Sequence, residues 1–445
     1  MEFSSLGFLF RFLPIFLILY YLMPARFRNL ALLISSIVFY GIGDLRYIPL
    51  ILVSMVLNYV LVWNMDQYSK ETRNRKWILA LLLAVNVGLL LVFKYTKYPM
   101  PLGMSFYTFT VLSYALDVYF GRSDAKKSFV DAGVYMVMFP KLISGPIAEY
   151  ADMKKEIEER HIHAKDIEEG IIIFTIGLGF KVILAEHFGI LWHDIRSAGF
   201  DSISTPLSWI GAAGYSAQLF FDFQGYSLMA VGVGRLFGFH LPENFNHPYR
   251  SKTVAEYYRR WHMTLGQWFK DYLYIPLGGN RKGLKRTVLN LFAVWLVTGI
   301  WHGATVNFII WGLVLFLFIA GEKLLWGKKL QESRIVGRIY IWFFIPLTWV
   351  VFAVENLNEL GVYFTRMFPF WGSAAYVNAT DYVRYLRNYS LFFLLAFLVS
   401  LPVMDTVYEK YHNGKLFKAA IFVIFAFCVY EIANGLNNPF LYFQF

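Results

Sequence analysis

Apolar residues fill long runs along the whole chain, separated by short polar joints: 6 to 24, 29 to 43, 47 to 65, 77 to 93, 102 to 120, 129 to 147, 170 to 193, 203 to 239, 287 to 321, 335 to 354, 389 to 404 and 416 to 433. A helix rises about 1.5 Å per residue, so about 20 apolar residues cross a hydrocarbon core. The pattern predicts an all-α polytopic membrane protein of about eleven spanning helices, the remaining runs being re-entrant or interfacial. Phe139-Pro140 and Ser144-Gly145-Pro146 put helix breakers inside the run 129 to 147, and runs of this kind can change the count by about two.

The run from Thr287 to Gly321 stands apart. Its 35 residues contain no Asp, Glu, Lys, Arg, Tyr or Cys, and His302 is its only titratable group. As one straight helix it would be about 52 Å long, too long for a core of about 30 Å. It must therefore bend or split near Gly299 and Gly303, which places His302 at a break inside the membrane. An ionisable group there is costly and marks a functional site by default. The alternative is a neutral histidine hydrogen-bonded to a backbone carbonyl.

Composition supports the membrane class. Hydrophobic residues make up 58% of the 445 and charged residues 16%, against about 25% charged in soluble domains. Glu2 stands where a leader peptide needs basic residues, so the first run is expected to stay as a span. The single cysteine, Cys428, excludes an intrachain disulfide and a cysteine-rich metal site.

The net charge of +11 is unevenly placed. Arg26 and Arg28, then Lys70, Arg73, Arg75 and Lys76, then Arg122, Lys126 and Lys127 follow alternate spans. These joints are expected in the cytoplasm and the N-terminus outside, although Lys94 and Lys97 oppose the trend. From Arg250 to Arg286 lie nine basic and two acidic residues. That segment suits either anionic lipid or a phosphate-bearing or acidic donor, rather than nucleic acid. Residues 151 to 169, of mixed charge, read as a solvated helix face with His161 and His163 on the surface.

No repeat or linker divides the chain, so 1–445 reads as one membrane domain, with 240–286 an amphipathic, basic segment on the cytoplasmic side. Thr253 and Glu256 form a capping box. Val254, Tyr257, Tyr258, Trp261, Leu265, Trp268, Phe269 and Tyr272 then recur at helical spacing. A helix over 253 to 273 is expected to lie against the membrane or the protein, with His262 bordering its apolar face. Asp222 is the only charge from Leu207 to Gly234. It is positioned to orient a histidine, to receive a proton, or to pair with Lys181.

Several motifs together resemble the membrane-bound O-acyltransferase family, in its bacterial alginate O-acetyltransferase-like branch. They are Gly103-Met104-Ser105-Phe106-Tyr107, Asp117-Val118-Tyr119, Phe139-Pro140-Lys141-Leu142-Ile143-Ser144-Gly145-Pro146 and Phe221-Asp222-Phe223-Gln224-Gly225-Tyr226-Ser227. Glu243-Asn244-Phe245, Pro248-Tyr249, Arg259-Arg260-Trp261-His262, Asp271 to Arg281 and Trp301-His302-Gly303-Ala304 complete the set. The related D-alanyl transfer proteins share the Arg-Trp-His and Trp-His-Gly patterns. Leu277-Gly278-Gly279-Asn280-Arg281 looks like the acetyl branch. Leu228 and Phe352-Ala353-Val354-Glu355 depart from it and put the acceptor in doubt.

The resemblance implies an O-acyltransferase built around a central tunnel or funnel. It implies a catalytic His302 and a second functional histidine at His262, with Asp222, Trp301, Asn280 and Arg260 in support. It implies no metal and no covalent cofactor. Acetyl-coenzyme A or an acyl-carrier thioester would be the donor, entering from the cytoplasm of a bacterial cell. The acceptor would be an envelope or secreted polysaccharide, reached through an extracytoplasmic SGNH-type acyltransferase. The aromatic tail 436–445 resembles one in which a tyrosine relays the acyl group, which would be Tyr442; an interfacial anchor is the alternative. Within this chemistry the rivals are D-alanylation of teichoic acid and lipid or protein acylation; from another class the rival is a transporter or flippase.

Overall fold

The computed structural model describes residues 1–371 and 378–436. Its principal helices, in chain order, are Arg28–Asp44 (α1), Ile48–Asp66 (α2), Arg73–Tyr95 (α3), Met104–Phe120 (α4), Phe129–Val137 (α5), Ala164–Gly179 (α6), Glu186–Ala198 (α7) and Thr205–Leu236 (α8). They continue with Val254–Arg260 (α9), Met263–Phe269 (α10), Gly283–His302 (α11), Val306–Gly321 (α12), Arg334–Ala353 (α13), Asp381–Val399 (α14) and Lys415–Ala433 (α15). The described chain is helical, as the apolar pattern predicts.

Among the described residues, seven helical stretches are long and apolar enough to cross a membrane, one of them holding both α1 and α2, or eight if α14 and Val403–Tyr411, bent by 71°, form one span. Two long central helices fall outside that set. Helix α4 buries every residue from Met104 to Val118, and α8 buries most of its length, Asp222 and Ser227 included. Surrounded by protein rather than lipid, these two carry hydroxyl, amide and carboxylate side chains that a lipid-facing helix would not. Outer helices instead turn Ile34, Val53, Trp77, Phe422 and Val423 outward. The 129 to 147 run breaks as expected, into α5 and the single turn Phe139–Leu142. Its irregular backbone is shielded, being buried throughout residues 132 to 148.

Glycines set the central packing. Gly170 and Gly177 on α6 meet Gly232 and Gly225 on α8. A Cβ on Gly177 would lie 2.6 Å from the Gly225 carbonyl oxygen, and one on Gly232 would lie 2.6 Å from that of Gly170. Small residues let membrane helices approach this closely. Beside this contact Lys181 bridges Glu186 at 2.9 Å and Asp222 at 2.8 Å. The pairing of Asp222 with Lys181 is thus the alternative that the geometry realises.

One sequence expectation changes and one gains a detail. Arg75, in the joint between α2 and α3, is only 3% exposed. It donates to the carbonyls of Tyr68 at 2.9 Å, Val118 at 2.6 Å and Tyr119 at 3.1 Å, tying its joint to the end of α4. The expected helix over 253 to 273 is instead α9 and α10, broken at Trp261-His262. Residues 244 to 246 cause the break by drawing the chain out of the helix. Asn246 N–H donates to Arg260 O at 3.0 Å and Met263 N–H to Asn244 O at 2.8 Å, around a bridge between Phe245 and Trp261.

Candidate active site

The long uncharged run splits as its length requires. Helices α11 and α12 fold back to back, with Gly299 and Gly312 at the contact. A Cβ on Gly299 would sit 2.7 Å from Phe308 O, and one on Gly312 would sit 2.6 Å from Trp295 O. The turn runs through Gly303, so His302 ends α11. Tyr95 donates its hydroxyl to the carbonyls of Ile300 and Gly303 there. The His302 ring lies 4.9 Å from that of Trp311 and 5.1 Å from that of Phe352, centre to centre, in edge-on contact with both.

His262 occupies the break between α9 and α10 in a left-handed conformation, φ 47°. Such strain is uncommon for a residue with a Cβ and gathers at functional sites. Its ring packs against Phe106 and Phe223, and burial pushes the imidazole down to about 3, so the ring is neutral. Nδ1 lies 3.1 Å from Asn244 Oδ1, while the buried Nε2 has no hydrogen-bond partner among the described residues. Helix α9 is fixed at its start by Thr253, whose hydroxyl accepts from Glu256 N–H. The buried Glu322 carboxylate adds two bonds there, accepting from Val254 N–H at 2.6 Å and Ala255 N–H at 2.9 Å.

Both histidines line one cavity of about 1450 Å³, walled by Tyr258, Trp295, Trp311 and Trp349 and ringed by Arg259, Lys270, Arg281, Lys282, Lys323 and Lys328. Glu149, also on its wall, is pushed up to about 7 by burial and by the neighbouring Asp271 and Asp117 carboxylates, against the pull of Arg122. A second chamber of about 100 Å³, bounded by Lys94, Pro101 to Phe106, Ser144 and Trp301, also reaches His302. His302 therefore stands at the junction of two spaces, and His262 on the wall of the larger only.

The expected supporting residues scatter. Trp301 lines the small chamber, under the Lys94 ammonium, 5.8 Å from its ring centre. Asn280 lines the large cavity and accepts from the Tyr274 hydroxyl. Arg260 opens on an adjoining recess and donates to Glu256 at 3.1 Å and Asn246 at 3.2 Å. Asp222 pairs with Lys181 and is not among the residues lining these spaces. Tyr442 lies outside the described residues. Sequence reasoning missed Thr264 and Glu322 altogether, and Asn244 appeared only within a motif.

A family model for the membrane-bound O-acyltransferases matches residues 32–338. The chain is 36% identical over 378 residues to the probable alginate O-acetylase of Pseudomonas fluorescens, covering 83% of this chain and 76% of that one. It is 32% identical over 414 residues to the peptidoglycan O-acetyltransferase of Helicobacter pylori, covering 80% and 78%. With the teichoic acid D-alanyltransferase of Lacticaseibacillus rhamnosus it shares 30% over 288 residues, covering 58% and 70%.

Proposed function

The chain belongs to the membrane-bound O-acyltransferase family, and we propose that it takes acetyl from a cytoplasmic thioester and passes it across the membrane for O-acetylation of an envelope or secreted polysaccharide. The observation that carries this is His302 at the junction of a large, cation-ringed cavity and a small chamber bounded by a different set of loops. The cation ring suits the phosphates of coenzyme A or an acidic carrier protein and is assigned to the cytoplasmic side. The loop at Pro101 to Gly103 is assigned to the outer side, as is the N-terminus, in a bacterial cytoplasmic membrane.

In the reaction, the His302 imidazole takes the proton of an attacking hydroxyl, whose oxygen bonds to the thioester carbonyl carbon. The carbon–sulfur bond then breaks and the leaving thiolate takes the proton from the imidazolium, giving an ester and a free thiol. A base with an ordinary pKa near 6.5 suits that cycle, and a positioned one accelerates it about 10² to 10⁴-fold. Tyr442 is proposed as the hydroxyl that receives the acyl group first, and an extracytoplasmic SGNH-type acyltransferase as the partner that finishes transfer to sugar. Acetyl is preferred over D-alanyl because the relatives named for acetyl transfer align over 80% or more of the chain and the D-alanyl relative over 58%.

The test is transfer from labelled acetyl-coenzyme A by purified protein. His302→Gln is expected to lose about 10²-fold or more in kcat. Full retention would overturn the catalytic assignment.

A further inference from the structure

The proton on His262 can be located without seeing it. Asn244 Oδ1 faces the backbone N–H of Thr264 at 3.4 Å, and an N–H only donates, so the amide must present its oxygen there. The Thr264 hydroxyl accepts from Ile147 N–H at 3.1 Å and gives its own hydrogen to the same Asn244 oxygen at 2.6 Å. The His262 Nδ1, 3.1 Å from that oxygen, must then carry a hydrogen to form its bond. In a neutral ring, one protonated nitrogen leaves the other as an acceptor, so Nε2 holds a lone pair. That atom is buried and has no hydrogen-bond partner among the described residues, and the side chain is 4% exposed. A buried acceptor without a donor is unfavourable unless a ligand supplies one.

The position says which ligand. His262 lines the large cavity and not the small chamber, so it meets what enters from the cation-ringed side. Resting on the thioester donor proposed above, we propose that His262 Nε2 accepts a hydrogen bond from an amide N–H on the arm that carries the thioester, and that Asn244 is the positioning residue that fixes the tautomer. Asn244 Nδ2 has no hydrogen-bond partner among the described residues, so exchanging it for a carboxylate oxygen breaks no bond to them. Besides Asn244 and Thr264, the ring meets Phe106 and Phe223, neither of which titrates. His302, Glu149, Asp152, Glu243, Arg259 and Glu322 are ionisable groups on the same cavity wall; they are common to wild type and variant, so their titration cancels in the ratio of the two Kd values.

The test measures binding of coenzyme A alone, which keeps the arm and its amides, to full-length protein in detergent between pH 5 and 8, by tryptophan fluorescence. For Asn244→Asp the ratio of its Kd to that of the wild type is expected near one at pH 8. It should rise about tenfold or more toward pH 5, because a neighbouring carboxylate favours the imidazolium and turns Nε2 into a donor. Asn244→Leu is expected to bind more weakly at every pH while keeping kcat at saturating acetyl-coenzyme A. A Kd ratio for Asn244→Asp that is flat with pH overturns the proposal, whether or not the leucine variant folds, and so does failure of the wild type to bind coenzyme A. Binding with the expected pH signature but no acetyl transfer would sustain this inference and overturn only the reaction proposed above.

Discussion

Replacing Glu322 with Gln should weaken the protein at a point remote from solvent and slow its reaction. The carboxylate accepts two backbone N–H groups at the first turn of α9, and it follows α12 directly, so it ties the His302 hairpin to the helix that leads into His262. Hydrogen bonds to a charged acceptor contribute about 1.5 to 3 kcal/mol each. A glutamine keeps one acceptor oxygen and turns an N–H₂ toward the second N–H, so about 2 to 4 kcal/mol should be lost. The start of α9 then shifts, and a displacement of about 1 Å at a reacting group can cost about 10²-fold in rate. Thermal unfolding followed by tryptophan fluorescence, together with acetyl-coenzyme A turnover, checks both effects. Glu332→Gln, on the exposed helix Gly327–Glu332, serves as the silent control. Equal melting and equal turnover in Glu322→Gln and the control would refute the coupling between the two histidine supports.

Lys181→Met removes the cation between Asp222 and Glu186 and should destabilise the protein by about 3 to 5 kcal/mol, seen as lower melting, with partial recovery in Lys181→Met/Asp222→Leu. Gly225→Ala places a methyl 2.7 Å from Gly177 O and should cost about 1 to 3 kcal/mol by the same measurement, whereas Gly88→Ala, where no atom lies within 4 Å, should not destabilise. Glu149, raised from 4.5 to about 7, binds its proton more tightly folded than unfolded. Its stabilisation is therefore complete below pH 4.5 and is lost as pH rises through about 7. Glu149→Gln should flatten that part of the melting profile by on the order of 2 kcal/mol, screened at its partly exposed site.

What was legible in the chain followed from chemistry that acts locally. A run of 35 residues without charge cannot be one span, so the break beside His302 was forced by length alone. The pairing of Asp222 with Lys181 was one of few choices open to a buried carboxylate. Where the reading failed, a distant segment overrode a local pattern. The helical spacing from Val254 to Tyr272 continues unbroken through His262, and only the pairing of residues 244 to 246 with 260 to 263 reveals that the chain leaves the helix there. Hydropathy passes over α4 and α8 for a related reason, since it measures suitability for lipid and these two helices are buried in protein.

The same contrast separates the two histidines. His302 stands out in sequence because nothing ionisable surrounds it for many residues on either side. His262 sits in a segment rich in arginine and lysine, where its spacing and the Arg-Arg-Trp-His motif single it out without saying what it does. What distinguishes it is its proton, and that is set by Asn244, Thr264 and Ile147, 18, 2 and 115 residues away along the chain. A residue whose role depends on which nitrogen carries hydrogen can be recognised only once its partners are brought together. The tautomer, unlike the isolated charge, is a property of the fold, which is why replacing Asn244 should alter donor binding without touching either imidazole.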